Sequence, residues 1–264
     1  MKEEEEKLNK ERLELIKRKY KQYLRLEKAL STNTLDAYLR DLDKLINFLK
    51  AEELSIFDVT LDHLQHFSAD LHDIGIHPRS QARILSGIKS FFHFLTIADY
   101  RKDNPCILLE GPKIGFRVPE VLSVSEIDNI IAAIDLSSNE GHRNKTIIET
   151  LYSCGLRVSE LCNLKISDLY LDEGFIRVEG KGNKQRLVPI SSSAVKEITT
   201  WMQIRNSSWR IKKEYEDHLF LARWGKGISR IMVFHLIKEL AAKAGIKKTI
   251  SPHTFRTFIF SFVR

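Results

Sequence analysis

The sequence predicts a mainly α-helical chain with a small β-sheet, arranged as an all-helical N-terminal domain followed by an α+β second domain. Three observations carry this. Apolar residues recur at helical spacing through the segments that precede Asp103. The periodicity lapses between Asp103 and Pro119, where Pro105, Gly111, Pro112, Gly115 and Pro119 punctuate the chain. Beyond that break the period changes to two in Phe175 to Glu179 and Gln185 to Ile190, the mark of a pair of short strands.

Taken in order, residues 1–10 read as a solvated, charged tail containing the run Glu3 to Glu6, and lead into a helix over about Glu11 to Leu30. Ser31 and Asn33 are good helix starts for the next, in which Leu35, Tyr38, Leu39, Leu42, Leu45, Ile46 and Leu49 share a face. A shorter helix spans Leu61 to Ile74, punctuated by Gly75 and Pro78. The fourth, Ser80 to about Thr96, sets Ile84, Leu85, Ile88, Phe91, Phe92 and Leu95 on one side and Ser80, Arg83, Gly87 and Ser90 on another. That small and basic side suits a phosphate backbone, although a plain solvated face is the commoner meaning of such a pattern.

Residues 105–119 form the expected linker, so the helical domain covers 11–104 and the second domain 120–264. Ser123 with Glu126 is a capping-box pattern before Ile127, Ile130, Ile131 and Ile134. An apolar helix then presents Arg157 and, three residues on, Glu160. Gly180, Gly182 and Asn183 are hairpin-turn residue types, which places Lys181 at the tip between the two strands. Ser192 to Arg205 is helical, Trp209 to Asp217 is a charged connection, and His218 to Arg223 a short strand. Arg230 to Ala244 is a helix closed by Gly245, and Ser251-Pro252 opens another with His253 and Arg256 in its first turn.

Composition narrows the function. With 264 residues, 43% hydrophobic and 29% charged, the chain is an ordinary globular protein, and no apolar run is long enough to cross a bilayer. The expected location is the cytoplasm, with no membrane role. Cys106, Cys154 and Cys162 have no zinc-site or disulfide spacing, so neither a structural metal nor a cofactor is expected. The net charge of +7 is localised: residues 1–116 hold 19 basic and 19 acidic side chains, residues 117–264 hold 23 and 16. Between Ile176 and Lys213 nine Lys or Arg face two Glu, a field that suits a polyanion such as DNA or RNA. The Gly-Lys-Gly-Asn-Lys run lacks the spacing and the Ser/Thr of a nucleotide P-loop. Standing alone, an Arg-x-x-Glu pair is most often a weak surface ion pair and His-x-x-Arg a chance pattern.

Together and in this order, Leu-Tyr-x-x-Gly-Leu-Arg-x-Ser-Glu-Leu around Arg157, Gly-Lys-Gly-Asn-Lys-x-Arg around Lys181, and Ser-Pro-His-Thr-x-Arg around His253 and Arg256 resemble the tyrosine recombinases, most closely the bacterial Xer type. The resemblance runs from about Lys21 to Arg256 and implies a helical core-binding domain before a catalytic domain. It implies strand exchange on double-stranded DNA through a phosphotyrosine intermediate, without ATP or metal, in a tetramer of identical or paralogous recombinases at the nucleoid. Arg157 and Arg256 would hold the non-bridging oxygens, Lys181 would protonate the leaving 5'-oxygen, His253 would orient the phosphate, and Glu160 would orient Arg157 or its neighbours. Ser80, Arg83, Lys89, Lys184 and Arg186 are the expected DNA contacts.

The family pattern continues past His-x-x-Arg to a Leu-Gly-His type motif and the nucleophilic tyrosine. Here Tyr20, Tyr23, Tyr38, Tyr100, Tyr152, Tyr170 and Tyr215 all precede His253, and the sequence as written runs eight residues past Arg256. The expectation is a catalytic domain incomplete at its C-terminus, inactive alone as written. One extra base would turn His-Ser-Phe codons into the Thr-Phe-Ile found at Thr257 to Ile259, so a frameshift or premature stop is the expected cause.

Overall fold

The computed structural model describes residues 2–115, 120–180, 182 and 184–255, with the backbone alone for residues 2–10. Lys181, Asn183, Pro119, Arg256 and the apolar stretch from Phe258 to Val263 lie outside the described residues. The chain divides into two compact units, Met1–Phe116 and Arg117–Arg264.

Four helices build the first unit: α1 (Lys2–Leu26), α2 (Thr32–Ala51), α3 (Leu61–Asp73) and α4 (Pro78–Ile97). Helix α1 begins well before Glu11, because residues 2–10 are strong helix formers without a breaker, and ends before Leu30, where Ala29 turns left-handed at φ 46°. Ser31 caps α2 by accepting from the Thr34 N–H, and Thr60 with His63 forms a capping box on α3. Pro78, expected only as punctuation, is the first residue of α4, where its missing N–H costs nothing.

Helices α2 and α4 pack against each other, and α1 lies on both. The core gathers Tyr20, Leu42, Leu45, Leu64, Phe91 and Phe92, with the rings of Tyr20 and Phe91 edge-on at 5.1 Å. Cys106 and Leu109 are buried in this core too, so the first residues after the expected boundary at 104 pack with the helices.

The second unit comprises α5 (Val124–Ala132), α6 (Asn139–Cys154), α7 (Val158–Cys162), an antiparallel sheet of β1 (Leu169–Tyr170), β2 (Phe175–Glu179) and β3 (Gln185–Pro189), then α8 (Ser192–Ser208) and α9 (Arg230–Lys243). Strand order is β1-β2-β3, with Val178 opposite Arg186 and Glu179 opposite Gln185. The sheet face carrying Ile176 and Val178 closes one side of a core that also takes Ile147, Leu151, Leu161, Trp201 and Phe255. Trp201 donates its indole N–H to the Leu219 carbonyl at 2.8 Å, which satisfies a fully buried polar atom.

Two expectations for this unit are corrected. Residues 218–223 form no strand but make isolated bridges, Lys165 to His218 and Leu221 to Gly227, around a turn. The chain here is held by side chains: buried Arg205 donates to the carbonyls of Tyr215, Glu216 and His218. The second concerns Arg157. It is not inside the apolar helix, because Gly155 ends α6 in the left-handed region at φ 56°, and Arg157 then caps the separate short helix α7 with an extended ψ of 148°.

Among the described residues no helix is long and apolar enough to cross a membrane.

Candidate active site

Glu160 is the centre of the arrangement. Its side chain is 3% exposed on the buried side of α7, while the Arg157 side chain beside it is 45% exposed. The Arg157 backbone N–H donates to Glu160 Oε2 at 2.8 Å and the Arg157 Nη1 to Oε1 at 2.7 Å. From the sheet, Arg186 reaches the same carboxylate with both terminal nitrogens, Nη1 to Oε1 at 2.9 Å and Nη2 to Oε2 at 2.8 Å. Each carboxylate oxygen thus accepts two hydrogen bonds, which fills its lone-pair capacity. Burial by itself would raise the Glu160 carboxyl, but the Arg186 fork and then the Arg157 N–H and guanidinium outweigh it and hold it at about 2. In return the carboxylate raises Arg186 above its ordinary value.

The local sequence explains why these groups meet. Alternation along β3 leaves Gln185, Leu187 and Pro189 exposed and turns Arg186 and Val188 inward, so Arg186 points to the α7 side of the sheet. Gly180 sits at the foot of the hairpin, closing it with its N–H on the Lys184 carbonyl at 2.8 Å. A Cβ at Gly180 would lie 3.2 Å from Arg186 Nη1, so the glycine lets the hairpin backbone pass close to the ion pair. Gly182 at φ 76° supplies the left-handed turn residue at the tip. Lys181, between these two glycines, is outside the described residues.

His253 is exposed in the helical turn Pro252–Phe255, where Ser251 receives the Thr254 N–H at 2.9 Å and donates its own N–H to Thr254 Oγ1 at 3.0 Å. The preceding chain is tied to the start of α5: Lys248 pairs with Glu126 at 2.7 Å, and the Thr249 N–H donates to Glu120 Oε2 at 2.8 Å. Buried Phe255 anchors this turn, and Leu161 anchors α7, in one core, so His253 and Arg157 stand on two parts of the same packed unit. Arg256 lies outside the described residues.

The remaining sequence-derived positions divide between the two units. Ser80 and Arg83 are exposed on α4, Lys89 is half-buried there, and Lys184 is exposed beside the hairpin tip. Gly87, expected on the same polar side as Arg83, is buried instead, because it admits Asp41 and Tyr38 of α2 at 3.2 Å and 3.6 Å from where its Cβ would be. Sequence reasoning missed Asp41. This fully buried acid receives both terminal nitrogens of Arg83, Nη2 at 2.8 Å on Oδ1 and Nη1 on Oδ2, with Lys44 at 3.7 Å. The signal was present: Asp41 interrupts the apolar stripe between Tyr38 and Leu45. Among the described residues no group of three or more His, Cys, Asp or Glu is placed to hold a metal ion.

The family model described as "Phage integrase family" matches residues 120–263, and "Phage integrase, N-terminal SAM-like domain" matches residues 18–99. The chain belongs to the phage integrase family. It is 36% identical over 245 residues to the tyrosine recombinase XerD of Staphylococcus saprophyticus, covering 92% of this chain and 83% of that protein. It is 37% identical to the protein of the same name from Staphylococcus aureus strain Mu50, with the same coverage. Among solved structures, the XerH site-specific recombinase bound to palindromic difH substrate superposes with a TM-score of 0.72 at 19% identity, over 87% of this chain and 68% of that one. A lambda integrase dimer bound to a COC' core site gives 0.72 at 17% identity, over 93% and 87%. Both likenesses are of fold. The expected fold class, mainly helical with a small sheet, is the fold of this integrase-family chain.

Proposed function

We propose that this chain acts in site-specific DNA recombination, binding a double-stranded recombination site and supplying the groups that surround one backbone phosphate. The observation that carries the reading is the Glu160 cluster. A buried carboxylate fixes the half-exposed guanidinium of Arg157 at the surface and, through Arg186, the foot of the hairpin at Gly180, the residue before Lys181 in the sequence. Arg157 and Arg256 would grip the non-bridging oxygens and stabilise charge as the phosphorus becomes five-coordinate. Lys181 would give its proton to the departing 5'-oxygen, which leaves poorly as an oxyanion, and His253 would orient the phosphate.

Ser80, Arg83, Lys89 and Lys184 would add backbone contacts, and the localised positive charge of residues 117–264 would draw the duplex in. The proposal takes residues 11–104 as the core-binding domain, 105–119 as the linker and 120–264 as the catalytic domain. Its partners are duplex DNA and identical or paralogous recombinases in a tetramer, in the cytoplasm at the nucleoid. Residues of this sequence supply the phosphate-binding and proton-donating groups.

Duplex binding followed against salt tests the reading. Affinity is expected to fall steeply with salt, and Arg157→Ala, Lys181→Ala or Arg256→Ala each to weaken it in part. A salt-independent or absent interaction would overturn it. Incubation with a nicked recombination-site duplex then separates two roles: a covalent protein–DNA adduct marks strand cleavage, and tight binding without an adduct marks a subunit that occupies the site for a partner recombinase.

A further inference from the structure

The residue that the sequence assigns to DNA, Arg186, is committed elsewhere. Both its terminal nitrogens bind Glu160, its side chain is 37% exposed, and the Gly180 backbone, which carries no Cβ, passes close to its Nη1. The carboxylate it holds is the one that takes both the backbone N–H and the guanidinium of Arg157. We propose that Arg186 is a positioning residue, which locks the foot of the β2–β3 hairpin at Gly180, the residue before Lys181 in the chain, to the Arg157 guanidinium through Glu160. This rests on the reading that Arg157 and Lys181 serve one phosphate.

The geometry favours a lock over a DNA contact for three reasons. A bidentate fork fixes the plane as well as the distance of both partners, so Glu160 cannot turn without breaking two bonds on the hairpin side. The carboxylate is 3% exposed, so water does not replace a lost arginine cheaply. The two elements joined come from different parts of the chain, α7 and β3, and no other ion pair among the described residues links them. Movement of the hairpin is thereby transmitted to the extended cap residue that carries Arg157.

The full chain carrying Arg186→Ala, Arg186→Lys or Glu160→Gln is compared with the natural one, and Lys184→Ala serves as a neighbouring control. Amide hydrogen exchange is read first, without DNA. The lock predicts exchange about tenfold faster at Gly180 and at Arg157 in Arg186→Ala and in Glu160→Gln, with amides of α6 and α9 unchanged as the control for folding. Arg186→Lys keeps the charge and loses the fork, so it is expected not to restore protection. Lys184→Ala should leave the Arg157 amide as it was.

A random-sequence duplex then gives two further measurements. The slope of affinity against salt is expected to stay constant in Arg186→Ala. At saturating duplex, protection of the Lys181 amine from an acylating reagent, read by peptide mass spectrometry, is expected to drop several-fold, an effect that a purely structural role would not produce once the duplex is bound. A slope reduced by about 0.9 would mark Arg186 as a phosphate contact and overturn the proposal. So would unchanged exchange at Arg157, or undiminished protection of Lys181. Failure of the natural chain to bind DNA at all would instead remove the functional reading and leave the exchange result to decide the lock.

Discussion

In the first unit Asp41 is fully buried between α2 and α4, and a single half-exposed arginine, Arg83, grips it with both terminal nitrogens. In the second, Glu160 is nearly as buried, but two arginines and a backbone N–H share it. Both clusters use a desolvated acid to hold a guanidinium at a surface. They differ in redundancy. Among the described residues, Asp41 keeps one ion pair, with Lys44 at 3.7 Å, when its main partner is removed, whereas Glu160 keeps two bonds from Arg157 when Arg186 goes. A cluster between two long helices is positioned by packing and tolerates one partner. A cluster joining a five-residue helix to a hairpin has less packing behind it and needs several bonds.

The largest expected effect tests that redundancy. Arg83→Ala strands an acid with no exposed surface and should cost about 3 kcal/mol in urea unfolding, while Arg186→Ala should cost about half as much. Equal losses would mean that the backbone N–H and Arg157 contribute nothing to holding Glu160, and the contrast would fail. Acid comes next. The Glu160 carboxyl falls from an ordinary 4.5 to about 2 in the folded chain. A group depressed in this way adds stability that is fully present above its unfolded value and is lost as the pH drops through its folded one. Unfolding midpoints of the natural chain and of Glu160→Gln should therefore converge between about pH 4.5 and about pH 2, by about 2 kcal/mol after allowing for the half-exposed arginines. A constant gap over that range would show that the carboxylate is not selectively held in its charged form.

How far the sequence disclosed these clusters follows from the range of the forces involved. Helix starts at Ser31, Ser123, Ser191 and Ser229 are capped by hydroxyls within three residues, and such local bonds are readable as pattern. The alternation Gln185 to Pro189 also announces the strand, and with it the inward turn of Arg186. Read as a continuous apolar helix, Leu151 to Leu161 conceals its break, because one left-handed Gly155 decides whether Arg157 lies in a helix or caps one. The partnership of Asp41 with Arg83 is not legible in pattern alone, for another reason. The partners are 42 positions apart, and an acid on an apolar stripe looks like a solvated exception until the opposing helix is known. Glu160 with Arg157 is legible as a pair because it is local; the third member, 26 positions on, is not.

The smallest effects sharpen the contrast at two glycines that stand equally near the two clusters. An added Cβ at Gly87 would meet Asp41 Oδ2 at 3.2 Å and Asp41 Cβ at 3.4 Å, and one at Gly180 would meet Arg186 Nη1 at 3.2 Å. In open helix, Gly→Ala gains about 1 kcal/mol from the stiffer unfolded chain and better propensity. At Gly87 the obstructing atoms belong to an acid pinned on the far helix, so α2 and α4 must move apart, and Gly87→Ala should lose about 1 kcal/mol in spite of that gain. At Gly180 the obstacle is the end of a flexible, half-exposed side chain, and Gly180→Ala should change stability by about 0.5 kcal/mol or less while loosening the Arg186 fork. Chemical denaturation of the two variants side by side gives the comparison. A Gly180→Ala loss as large as that of Gly87→Ala would mean that the hairpin is held as rigidly as the helix pair, and the second cluster would no longer need its extra bonds to explain its order.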